Sequence, residues 1–61
     1  GKFSVYIKTV LGLELLEKTE RDRAIKIYLT YRNEIEKGNP YNYQGILIKD
    51  PSGKIGFSCV P

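Results

Sequence analysis

The chain contains no histidine, no methionine and no tryptophan, and it has a single cysteine. Without histidine, Ser-His or Cys-His nucleophilic catalysis is excluded, and with one cysteine besides, so are zinc-finger ligand sets. One thiol closes no intrachain disulfide, and an unmated thiol favours a reducing compartment, so an intracellular, cytoplasmic location is expected. No apolar run approaches the roughly 18 residues of a membrane-spanning helix, and no signal-peptide pattern is present. Charge of one sign is also in short supply. Ten Lys and Arg stand against seven Asp and Glu, a net charge of +3. The basic residues are dispersed, whereas small nucleic-acid binders usually carry a denser basic cluster.

What is present fits one small globular domain over residues 1–61, with 41% hydrophobic and 28% charged residues. A chain this short buries little apolar surface, so modest stability is expected unless a partner adds more.

Lys2 to Thr9 alternates, with Phe3, Val5 and Ile7 pointing one way and Ser4, Tyr6 and Lys8 the other, as in a half-buried strand. Val10-Leu11-Gly12 suits a three-residue turn with Gly12 left-handed, and Leu13 to Lys18 then returns as a second strand. That register sets Ile7 opposite Leu15 and Lys8 opposite Glu14. A rival reading makes Gly12 to Lys18 the first turns of one long helix, because Leu, Glu and Lys are good helix formers. Thr19 followed by Glu20, Arg21 and Asp22 resembles an N-cap with an acidic first turn, and this favours the strand.

From Glu20 to Lys37 the period is helical. Ala24, Tyr28, Tyr31 and Ile35 form one stripe, flanked by Ile27. Lys37 suits the negative end of the helix dipole, Gly38 supplies a C-terminal cap, and Asn39-Pro40 stops the helix. Asp50-Pro51-Ser52-Gly53 matches a type I turn with a bulge at Gly53. Around it, Ile48 faces Gly56, Leu47 faces Phe57 and Ile46 faces Ser58. One face of this hairpin then carries Leu47, Ile55, Phe57 and Cys59, the other Ile46, Ile48 and Val60. The first has the larger side chains and is expected against the helix.

The expected fold is α+β in the order ββαββ, a four-stranded, mainly antiparallel sheet with one helix packed on one face. Phe3, Val5, Ile7, Leu15, Tyr28, Tyr31, Ile35, Leu47, Ile55 and Phe57 are the expected core.

Little in this chain resembles catalytic chemistry. The carboxylates fall on strand exteriors, helix exteriors or turns, where solvated surface acids outnumber catalytic ones. No glycine opens a helix after a strand in a phosphate-loop pattern, and Ser52-Gly53-Lys54 lies inside a hairpin turn. Cys59 has no base to activate it and alternates with Ile55 and Phe57 like a buried hydrophobe. No catalytic, metal or cofactor site is expected, and the protein is not expected to be an enzyme.

Tyrosine is abundant, with five residues. Tyr28 and Tyr31 belong to the helix stripe, and Tyr41 and Tyr43 suit a staple between the following loop and the helix end. Tyr6 faces outward. Beside it the uncovered sheet face would hold Leu16, Ile46, Ile48 and Val60, and Leu29 lies off the main helix stripe. A cluster of exposed apolar residues usually marks an interface, although a one-residue slip of register would return these residues to the core. The expected function is a non-enzymatic interaction module that self-associates or docks a protein partner through the open sheet face. The alternative is a small nucleic-acid-binding module using Tyr6 with Lys8, Lys18, Lys49 and Lys54. A small regulatory protein of viral or mobile-element origin is a third reading, resting on size alone.

Overall fold

The structure, a computed structural model, describes residues 1–38 and 43–59. Five elements follow in order: β1 (Phe3–Thr9), β2 (Gly12–Thr19), α1 (Arg21–Glu36), β3 (Gly45–Lys49) and β4 (Ile55–Cys59). The strands form one antiparallel sheet in the order β2-β1-β3-β4, and α1 packs on one of its faces. This is the ββαββ, α+β arrangement that the sequence patterning predicts. Residues 12–18 are strand, so the long-helix reading is excluded.

The start of α1 differs in detail from expectation. Thr19 is the last residue of β2, and Glu20 is the N-cap, in extended conformation and without a side-chain capping bond. The helix begins through the Ala24 N–H, which donates to the Glu20 carbonyl at 3.0 Å. Extended pairing of Thr19 with Phe3 takes the residue into the sheet, so its hydroxyl does not serve the helix. At the other end, Lys37 donates to Asn33 O and Gly38 to Ile35 O, each at 3.1 Å, with Gly38 at φ 70°. A left-handed residue there costs glycine little, which is why it terminates helices. The Asn39-Pro40 stop and Tyr41 lie outside the described residues. Tyr43 packs edge-to-face on Tyr31 at 5.2 Å between ring centroids, the loop-to-helix staple expected of it.

Both hairpins contain one bulge, and the bulges decide which side chains of β2 and β4 turn to the helix side. In the first, Thr9 pairs with Gly12, so the turn has two residues, one fewer than expected. Tyr6 therefore faces Leu15, Ile7 faces Glu14 and Lys8 faces Leu13. Leu16 is the extra residue, after which the expected pairing resumes as Val5 with Glu17. In the second hairpin Lys49 pairs with Ile55 but Ile48 pairs with Phe57, leaving Gly56 as the extra residue. Leu47 then faces Ser58 and Ile46 faces Cys59.

β3 is inverted relative to expectation. Pairing of Val5 with Ile48 and Ile7 with Ile46 puts both isoleucines under α1, each 1% exposed. Ala24 and Tyr28 of the helix close over them, and Phe3, Ile27, Tyr31 and Ile35 pack around the edge of this core. Leu47, also buried, is on the opposite face with Tyr6. Leu15 and Ile55, both expected in the core, are about half exposed, and Phe57 reaches the helix side at the sheet edge yet remains 48% exposed. Its ring sits 5.6 Å from that of Tyr28. The bulge at Gly56 puts Ile55 and Phe57 on opposite faces, whereas β3 has no bulge and takes its orientation from Val5 and Ile7 of β1.

The β3–β4 turn forms as its residues dictate. Asp50 Oδ1 accepts from the Ser52 N–H, the Ser52 hydroxyl and the Lys54 N–H, at 2.9, 2.6 and 3.0 Å. Gly53 at φ 91° donates to the Asp50 carbonyl at 2.9 Å. The Ser52 hydroxyl, then the backbone N–H groups, hold the Asp50 carboxyl below its ordinary value. A depressed carboxylate stabilises the fold above its unfolded pKa, and that contribution disappears as pH falls through the folded value. Asp50→Asn should therefore flatten the acid limb of a stability-versus-pH curve measured by urea midpoint. An acid limb unchanged in slope would show that the turn carboxylate contributes nothing to folding.

Candidate interaction surface

The sheet face away from α1 is built in rows across the strands. The central row runs Leu15, Tyr6, Leu47 and Ser58, from β2 to β4. On one side lies Lys18, Ser4, Lys49 and Ile55, and on the other Leu13, Lys8 and Gly45. Leu13, Leu15 and Ile55 are 50%, 51% and 59% exposed, and no helix covers them. Apolar exposure continues past Leu13 to the hairpin tip, where Val10 and Leu11 stand in solvent. Apolar clustering of this extent on one uncovered face is the feature that marks docking surfaces.

Among the described strand residues, charge on this face has one sign. Lys8, Lys18 and Lys49 belong to it, and none forms an ion pair among the described residues. The Lys49 ammonium lies over the Tyr6 ring, 5.1 Å from its centroid. The two strand carboxylates go the other way. Glu14 pairs across from Ile7, and Glu17 across from Val5, on the helix side. There Glu17 accepts two bonds from Arg23 of α1, at 2.7 and 3.3 Å. The Arg23 hydrogen bond lowers the Glu17 pKa, and the guanidinium charge adds to it. As both groups are exposed, this pair orients α1 on the sheet edge more than it stabilises the fold.

The residues expected to form a protein interface are dispersed. Tyr6 is on the open face, but Ile46 and Ile48 are core residues beneath the helix. Leu16, displaced by the bulge, lines a shallow groove with Glu17, Arg23, Ile27 and Tyr31 between β2 and α1. Leu29 lies in a depression with Arg32, Asn33 and Glu36 on the helix, and Val60 is outside the described residues. By contrast Tyr6, Lys8, Lys18 and Lys49, grouped as the nucleic-acid alternative, do share one face. Lys54 is at the turn, donating its backbone N–H to Asp50.

Leu13, Leu15, Leu47 and Ile55 replace the misplaced aliphatics on the open face. One sequence signal points to this change. Leu15-Leu16 breaks strict alternation, as a bulge requires.

Among the described residues no helix is long and apolar enough to cross a membrane. No group of three or more His, Cys, Asp or Glu among them is placed to hold a metal ion. Comparison with protein-family models, with curated proteins and with solved structures finds no match to the chain.

Proposed function

We propose that this chain is a non-enzymatic interaction module that docks protein through its open sheet face. The observation that supports it is the set of half-exposed Leu13, Leu15 and Ile55, grouped with Tyr6 and the buried Leu47 on a face the helix leaves bare. Absence of catalysis rests on the dispersal of the carboxylates, with Glu17 and Asp50 engaged in structural bonds. The unpaired Cys59 thiol supports an intracellular setting.

The nucleic-acid reading keeps one specific support, the gathering of Tyr6 with three lysines on one face. Selection of binders from a random-peptide display library separates the two. Peptides are expected to be retained by the wild-type domain and lost by Leu15→Ser and Ile55→Ser, both folded by circular dichroism. Binders indifferent to those two residues would overturn the docking face. Tight, steeply salt-dependent binding of a 15-nucleotide oligo-dT that ignores the leucines would transfer the face to nucleic acid.

A further inference from the structure

Resting on the docking face just described, we infer that its partner is an acidic protein segment, with carboxylates set around apolar side chains, and not a second copy of this chain. The lysines flank the apolar row on both sides. Lys18 and Lys49 are separated by one strand, roughly 10 Å at ordinary strand spacing, with Ser4 between them. Lys8 stands beyond the row, beside Leu13. Glu14 and Glu17 point to the helix side, so no strand carboxylate shares the face with these three cations.

A two-fold stack of the face on itself would bring three lysines from each copy together without a single strand carboxylate from either. Like charges across an interface are costly and select against that partner. Carboxylates opposite the lysines turn the same geometry favourable and steer the encounter. Nucleic acid also carries negative charge, but it gains most on such sheets from stacking on several open aromatic faces. Here Tyr6 is the one aromatic on the face among the described residues, and Lys49 already lies over its ring. Half-exposed leucine and isoleucine match aliphatic or aromatic protein side chains, not bases.

The test uses three defined probes with the 15N-labelled domain, followed by amide shifts. These are a ten-residue peptide alternating Leu and Glu, its Leu and Lys counterpart, and a 15-nucleotide oligo-dT. The acidic peptide is expected to bind, with shifts confined to the sheet strands, Ile55 of β4 included, and not α1, and the basic peptide to bind at least ten-fold more weakly. Lys18→Glu with Lys49→Glu should weaken the acidic peptide about ten-fold and restore the basic one, while Leu15→Ser weakens both. Sedimentation of the domain alone at the same concentration should show a monomer.

Acidic and basic peptides binding alike, with Leu15→Ser still weakening both, would overturn the acidic partner and leave the docking face standing. Failure of both peptides to shift the open face would overturn the acidic partner and the docking face together. A dimer in the absence of peptide, broken by Leu15→Ser, would make a second copy the occupant. Preference for oligo-dT over the acidic peptide would assign the lysines to phosphate. Thermal melts of each variant accompany the titrations, and Lys49→Ala, which introduces no new charge, replaces the double variant if that one unfolds.

Discussion

Ile48→Ala is expected to cost about 2–5 kcal/mol, most of what holds a domain of this size together. Ile48 is among the most completely buried side chains and pairs with Val5 directly below α1. Truncation leaves a cavity between sheet and helix that neither rigid element closes. Ile48→Lys should prevent folding outright, since the ammonium would have no partner in that core. Phe57→Ala, on the half-exposed edge strand, should cost distinctly less than Ile48→Ala despite the larger side chain removed. Urea midpoints of the two alanine variants make the comparison. A greater fall for Phe57→Ala would put β4, and not β3, at the centre of the core.

Tyr28→Ala should lower stability by about 3–5 kcal/mol, the range for deleting a buried aromatic. Tyr28 and Ala24 are the two helix residues fully inside the core, so this ring is the main apolar contact α1 makes with the sheet. It is also the ring against which Phe57 packs, so its loss should loosen β4 as well. Amide hydrogen exchange in Ile55–Cys59 should accelerate more than exchange in β1. Leu29→Ala, on the exposed side of the same helix, serves as the reference and should stay within ~0.5 kcal/mol of wild type. Equal destabilisation by the two substitutions would mean that α1 does not pack through the Tyr28 face.

On β2 and β4 the difference between expected and observed faces has a local origin. A hairpin read from its turn inherits the count of residues in that turn. The β1–β2 turn is one residue shorter than expected, and Leu16 returns the register to phase. At the β3–β4 turn the count is right through Asp50, and Gly56 then shifts it. These irregularities move Leu15 of β2 to the open face and put Ile55 and Phe57 of β4 on opposite faces; β3 pairs with β1 without a shift, so the exchange of Leu47 for Ile46 and Ile48 does not come from a bulge. Glycine at position 56 is the residue most tolerant of a bulge, but glycine in a strand also fits close packing, so its presence alone does not decide between them.

By itself the sequence determined the five elements, their order, the helix stripe of Ala24, Tyr28, Tyr31 and Ile35, and the turn built on Asp50 and Gly53. These follow from periodicity and turn chemistry, which act within a few residues along the chain. Outward placement of Tyr6, Lys8 and Lys18 was determined in the same way, as was the opposite face for Val5 and Ile7. Only the tertiary structure decided which face of β3 meets the helix and which aliphatics remain in solvent. Ile46, Leu47 and Ile48 are consecutive apolar residues, so either face satisfies the local pattern. The choice is made by pairing with β1, where Val5 and Ile7 are already committed to the helix side. That pairing joins residues some forty positions apart. Its free energy comes from burying both isoleucines under Tyr28, a contact that exists only once the sheet and helix are assembled.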